Sequence, residues 1–236
     1  MVANTRLRTA IVTGGGTGIG RAVAEALIAD GLEVVITGRR ADVLERTAKE
    51  IGARAVDFDA ADPEAVTRAL DRLPSEVDVL VNNAGGVVQG RDLKETWLAN
   101  YELNVVTAVL VTEALKPRLA QHARIATIGS IAARKGAGSY GAAKAALEAW
   151  TADLAFALGS RGVTANLVAP GYIDDTEFFG DTMTDERRTW LVGSTANGRA
   201  GTPADVASVV AFLTSPAAGH ITGQVVPVNG GANLAR

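Results

Sequence analysis

Three side chains near the middle of the chain could move a proton. In Gly138-Ser139-Tyr140-Gly141-Ala142-Ala143-Lys144 a phenol and an amine stand four residues apart, and Ser130 precedes the phenol by ten. Positions four apart share one face of a helix, and the run to about Gly159 reads as a long helix. A free tyrosine has a pKa near 10, so about a thousandth is phenolate at neutral pH. A nearby ammonium, together with the cationic ring of an oxidised nicotinamide, favours the phenolate. Moving that pKa down by about three units takes about 4 kcal/mol of differential interaction. The product is an acid–base group for an alcohol or a carbonyl, and the Ser130 hydroxyl can hold the substrate oxygen beside it. Alone, Tyr-x-x-x-Lys is a common spacing; its meaning depends on its neighbours.

The second chemical feature is a glycine turn, Thr13-Gly14-Gly15-Gly16-Thr17-Gly18-Ile19-Gly20, between a strand candidate and a helix over Arg21–Ala29. The spacing is T-G-x-x-x-G-x-G. Glycines let the main chain turn sharply and approach a pyrophosphate, and the helix start offers free N–H groups and a partial positive charge. Gly14, Gly16, Thr17, Gly18 and Ile19 are therefore candidate cofactor contacts. The second strand ends Ile36-Thr37-Gly38-Arg39-Arg40. An acid near this point would bind the ribose hydroxyl of NAD; here Gly38 takes that place, and Arg39 and Arg40 suit the 2′-phosphate of NADP. The expected cofactor is NADP, as NADPH.

These residues need elements to hold them. Runs rich in Val, Ile and Leu recur at Thr9–Thr13, Glu33–Thr37, Arg54–Phe58, Val77–Val81, Ala123–Ile128, Val163–Val168 and Gln224–Val228. Between most of them lie stretches of helical period, such as Val23, Leu27 and Ile28, or Val66, Leu70 and Leu73. Alternating strands and helices imply crossover connections and a parallel sheet of about seven strands with helices on both faces, a Rossmann-type α/β fold. Asp62-Pro63-Glu64 and Thr202-Pro203-Ala204-Asp205 read as helix starts. Pro117 marks the end or kink of a helix over Asn104–Leu115. One domain is expected over 1–236. Gly171–Gly201 breaks the rhythm as an irregular stretch; its Phe178, Phe179, Met183, Trp190, Leu191 and Val192 favour a lid at about 172–200.

Composition excludes other chemistries. The 236 residues contain no Cys, which removes disulfides and thiolate catalysis, and two His, His122 and His220. No metal site is expected. A net charge of -3 argues against nucleic acid as partner. No apolar run is long enough for a membrane span. The first eight residues lack the apolar core of a secretion signal, so a cytoplasmic location is expected.

Taken together, the motifs resemble the classical short-chain dehydrogenases/reductases, the 3-oxoacyl carrier-protein reductases among them, over essentially the whole chain. The matching residues are Thr13-Gly14-x3-Gly18-Ile19-Gly20, Asp59, Asn82-Asn83-Ala84-Gly85, Asn104, Ser130, Tyr140-x3-Lys144, Pro170-Gly171 and Gly223-Gln224…Asn229-Gly230-Gly231. The resemblance implies that Tyr140 is the acid–base group, that Lys144 lowers its pKa and binds the nicotinamide ribose, and that Ser130 orients the carbonyl. It implies that Asn104 holds a water joining Lys144 to solvent. Asp59 would contact adenine, Asn83, Ala84 and Gly85 would line the cofactor cleft, and Ile173, just past Pro170-Gly171, would meet the carboxamide. A homotetramer built through the long helices and the last strand is also implied.

Two departures stand out. The family commonly has about three more residues between the serine and the tyrosine. It also often has Thr five residues after the Pro of Pro-Gly, where this chain has Asp175 followed by Thr176. The expected activity is NADPH-dependent reduction of a ketone, or the reverse oxidation, on a small-molecule carbonyl or alcohol. The alternatives are an NAD-dependent alcohol dehydrogenase, a non-catalytic NADP-binding regulator, and a same-fold epimerase or dehydratase on nucleotide sugars.

Overall fold

The computed structural model describes residues 7–90, 92–176, 178 and 183–234. Seven strands form one sheet: β1 (Thr9–Thr13), β2 (Glu33–Gly38), β3 (Arg54–Asp57), β4 (Val77–Asn82), β5 (Leu119–Ile128), β6 (Thr164–Pro170) and β7 (Val225–Val228). Their order is β3-β2-β1-β4-β5-β6-β7, and every pairing is parallel. Parallel strands are covered on both faces and need apolar side chains on both. Accordingly, all five residues of β1 and all seven of β6 are buried.

The helices are α1 (Gly18–Ala29), α2 (Ala41–Ile51), α3 (Pro63–Ala69), α4 (Leu93–Tyr101), α5 (Thr107–Leu115), α6 (Ala132–Lys135), α7 (Gly138–Leu158), α8 (Asp185–Gly193) and α9 (Pro203–Thr214). Val23 and Leu27 of α1, Leu44 of α2 and Val206 and Val210 of α9 pack on one face of the sheet. Val66 of α3, Val111 and Leu115 of α5 and Leu154 and Leu158 of α7 pack on the other. The strand order reverses between β1 and β4, which opens a crevice at the carboxyl ends of the strands. The expected helix starts hold. Asp62 caps α3 through Glu64 N–H with Pro63 behind it, and Thr202 and Asp205 form a reciprocal capping box on α9.

Three expectations need correction. Strand β5 begins at Leu119, four residues before Ala123. The polar pair Gln121-His122 hid its start; His122 takes φ 60° and the register against β4 shifts there. The helix expected over Asn104–Leu115 begins at Leu93 and passes through a π-helical turn, Glu102–Val106, that carries Asn104. The stretch 171–201 is not irregular throughout. It contains α8, capped by Thr184, and is tied down by a bridge between Ile173 and Gly201. Phe179, expected in the lid, lies outside the described residues.

Candidate active site

The end of β5 places Ser130 and the first turns of α7 place Tyr140 and Lys144. The Ser130 hydroxyl lies close enough to Tyr140 to lower the phenol's pKa. Ser130 Oγ accepts the Ala132 N–H at 3.1 Å, which leaves its own proton for the tyrosine or a substrate oxygen. The short connection of ten residues thus still brings Ser130 to Tyr140, by way of the one-turn helix α6. Lys144 is buried; its Nζ donates to the Ile128 carbonyl at 2.9 Å and stands 5.8 Å from the centre of the Tyr140 ring.

Burial governs both titrations. It pushes the Tyr140 phenol up to about 12, against a smaller lowering by Ser130. It pulls the Lys144 ammonium down to about 8. Removing either group from water disfavours its charged form. In the chain without its cofactor, burial sets the direction for both groups.

Gly85 sits where a Cβ would stand 2.7 Å from Asn104 Oδ1 and 3.3 Å from Lys144 Nζ, so glycine lets the loop after β4 lie directly against both. Asn104 is buried, and both of its amide N–H groups are used. It donates to the carbonyls of Gly86 at 2.8 Å and Asn100 at 2.9 Å, and accepts the Gly86 N–H at 3.1 Å. The side chain fastens the loop. Asn83 is similar: its amide donates to Thr13 and Gly14 carbonyls, stitching β1 to β4 across the crevice. Ala84 N–H joins by donating to Thr13 Oγ1.

The glycine turn runs from β1 into α1 as expected. Gly14 and Gly18 have φ of 63° and 53°, and a Cβ on Gly20 would meet the Gly14 carbonyl at 2.2 Å. Asp, Thr or Thr-Asp side chains cap α3, α4, α8 and α9, but no side chain caps α1 at Thr17 and its first turn holds no acid. That open, positive helix start at the crevice fits a pyrophosphate. Gly16, Thr17 and Ile19 share this turn, partly exposed. Arg39 and Arg40 are exposed at the end of β2. Asp59 accepts the Ala61 N–H at 3.0 Å in the turn after β3. Pro170 ends β6, Gly171 N–H donates to the Val228 carbonyl, and Ile173 is buried and bridged to Gly201.

Sequence reasoning missed four contacts. Asp175 takes φ 56°, and this left-handed step absorbs the extra residue, so that Thr176 lies against Gly18, its Cγ2 3.5 Å from where a Cβ there would be. Phe178 packs on the Tyr140 ring with centroids 5.6 Å apart. Asp174 joins Tyr172 (3.0 Å) and Arg188 of α8. Asn100, buried one turn before Asn104, bonds Ser139. The i, i+4 spacing of the two asparagines was the available signal; their acceptors are remote in sequence.

The family model described as enoyl-(acyl carrier protein) reductase matches residues 14–233. The chain is a member of the short-chain dehydrogenase/reductase family. Like other short-chain dehydrogenases/reductases it is an oxidoreductase that uses a nicotinamide cofactor. Among its relatives, the 3-oxoacyl-[acyl-carrier-protein] reductase FabG of Escherichia coli is 35% identical, with 95% of this chain and 96% of that protein covered. Among solved structures, a blue fluorescent protein from a metagenomic library in complex with NADPH has a TM-score of 0.86 and 36% identity, covering 96% of this chain and 98% of that one. A putative gluconate dehydrogenase from Agrobacterium tumefaciens has a TM-score of 0.88 and 28% identity, with 95% of each chain covered. Among the described residues no helix is long and apolar enough to cross a membrane.

Proposed function

We propose that this enzyme reduces a ketone with NADPH. The observation that carries the reading is the grouping of Ser130, after β5, with Tyr140 and the buried Lys144, at the start of α7, at the carboxyl end of the sheet. The two neighbouring hydroxyls suit one substrate oxygen, and so favour C=O over C=C. The family model's description and the relative's name span both kinds of bond.

Arg39 and Arg40 support NADP over NAD, as does the NADPH bound by the metagenomic protein. The residues to hold the cofactor are Gly14, Gly16, Thr17, Gly18 and Ile19 at the pyrophosphate, Arg39 and Arg40 at the 2′-phosphate, and Asp59 at the adenine. Ala84, Gly85, Lys144 and Ile173 would border the nicotinamide end, with Asn83, Pro170 and Gly171 shaping the cleft through main chain. When bound, the nicotinamide supplies hydride. Tyr140 gives its proton to the substrate oxygen, and Ser130 donates to the same oxygen as charge builds there. A phenol held near 12 is fully protonated at neutral pH, as a proton donor must be. The Lys144 ammonium steadies the phenolate left behind, and Asn104 keeps the loop of Gly85 against it.

Phe178, packed on the Tyr140 ring, would give an apolar wall on the substrate side. Leu93, Trp97, Leu98 and Tyr101 of α4 and Phe156 of α7 are exposed; these apolar faces support assembly into a homotetramer. To test the mechanism, NADPH oxidation is followed with a ketone panel that includes acetoacetyl-CoA. The wild type turns over, and Tyr140→Phe loses turnover while still binding NADPH. Near-normal turnover in Tyr140→Phe removes the role given to Tyr140. NADPH binding without any turnover across the panel favours a regulator.

A further inference from the structure

Two asparagines one helical turn apart hold the chain that leaves β4. Asn104 bonds both main-chain groups of Gly86, and Asn100 does the same to Val88, donating to its carbonyl at 2.9 Å and accepting its N–H at 3.0 Å. Residues four apart on a helix share a face and residues two apart on an extended segment point alike. The two amides therefore act as an added strand edge for residues 86–88. Asn100, 1% exposed, reaches further: its Nδ2 also lies 2.9 Å from the Thr96 carbonyl and 3.1 Å from Ser139 Oγ, so its two N–H groups are shared among three acceptors.

Ser139 precedes Tyr140 in the first turn of α7. That turn is weakly held on its other side: no side chain caps it at Ala137, and residues 134–138 are exposed. Gly136 and Gly138 have positive φ and open space around them. Phe178 packs on Tyr140 and Ala143 packs with Val105 and Ala108; the Asn100–Ser139 bond adds a side-chain hydrogen bond between this turn and α4.

We infer that Asn100 is a positioning residue. Through Ser139 it fixes the start of α7, and with it the Tyr140 hydroxyl, relative to the strap at residues 86–88. The inference rests on the proposed role of Tyr140. Loss of the bond lets the phenol drift from the substrate oxygen, which slows proton transfer. Most of the cofactor's grip lies on the glycine turn and the arginines, away from this bond.

The experiment compares kcat and KM for NADPH, with acetoacetyl-CoA or the best ketone of the panel, in Ser139→Ala, Ser139→Thr, Asn100→Leu and the double variant, beside Tyr140→Phe. Ser139→Ala removes one neutral hydrogen bond, so kcat falls about fivefold with KM for NADPH unchanged, and Ser139→Thr restores it. Asn100→Leu falls further, and adding Ser139→Ala to it costs nothing more. Wild-type kcat in Ser139→Ala, no rescue by Ser139→Thr, or additive losses in the double variant overturns the inference. If Asn100→Leu does not fold, the two Ser139 variants decide. Turnover in Tyr140→Phe instead overturns the reading on which the inference rests, whatever the Ser139 variants do.

Discussion

Lys144→Met should make the ligand-free protein more stable at neutral pH while destroying its activity. The folded chain pulls the Lys144 ammonium from an ordinary 10.5 to about 8 by burial. That displacement corresponds to about 3 kcal/mol of disfavoured charge. Below pH 8 the amine is charged in both states, and the folded state carries the whole cost. Between 8 and 10.5 the unfolded chain binds the extra proton, so wild-type stability rises with pH through this window. Met is uncharged throughout and of similar length. Its substitution leaves the Ile128 carbonyl without its 2.9 Å donor, at a cost of about 1–2 kcal/mol. Lys144→Met should therefore be more stable by about 1–2 kcal/mol at pH 7 and less stable by the same amount at pH 10.5. For a chain of this size the gap between the two melting temperatures changes by roughly 6–12 °C across that range. Calorimetry or circular dichroism at pH 7, 8.5, 9.5 and 10.5 reads it directly. A deficit in Lys144→Met that is the same at every pH would refute the claim that this amine is charged and buried at neutral pH.

The same geometry sets other expectations. Arg39→Ala should weaken NADPH binding by about 10- to 100-fold and leave NADH nearly unchanged; equal losses, or an initial preference for NADH, would reverse the cofactor assignment. Gly85→Ala forces a methyl to within 2.7 Å of Asn104 Oδ1, and kcat should fall at least tenfold with NADPH still bound, read by cofactor fluorescence titration and turnover. Asp205→Ala removes the capping box of α9 and the carboxylate that Arg199 grips. The loss should be about 1 kcal/mol, or about 2–4 °C in melting temperature. Because Arg199 holds the Asp205 pKa well below the usual range, this contribution should be present above about pH 4 and fade in acid. Sedimentation should find four copies together at micromolar concentration; a monomer would remove the assembly proposed for α4 and α7.

Much of this fold was legible because its strands are buried on both sides and announce themselves as short apolar runs. The exceptions have physical causes. Gln121 and His122 interrupt β5 where the strand bulges. Helix α4 was missed because Leu93, Trp97, Leu98 and Tyr101 face outward, so its period does not point to the core. Acidic and glycine-rich neighbours masked α8. In the site, local motifs marked Ser130, Tyr140, Lys144 and the glycine turn. Contacts between distant positions stayed hidden: Asn104 on Gly86, Asn100 on Val88 and Ser139, Phe178 on Tyr140. The titration of Tyr140 was also out of reach, because enclosure is a property of the assembled fold and not of a four-residue spacing.

The widened turn at Glu102–Val106 has its own logic. It holds one residue more than an α-helical turn, so α4 is rotated by about 100° against α5 relative to an unbroken helix. Val111 and Leu115 can then lock into the sheet while Asn100 and Asn104 look toward the loop after β4. Removing one residue there would restore a continuous rod and swing the upstream side chains away from their targets. The kink works like a universal joint in a drive shaft, letting one helix serve two partners set at different headings.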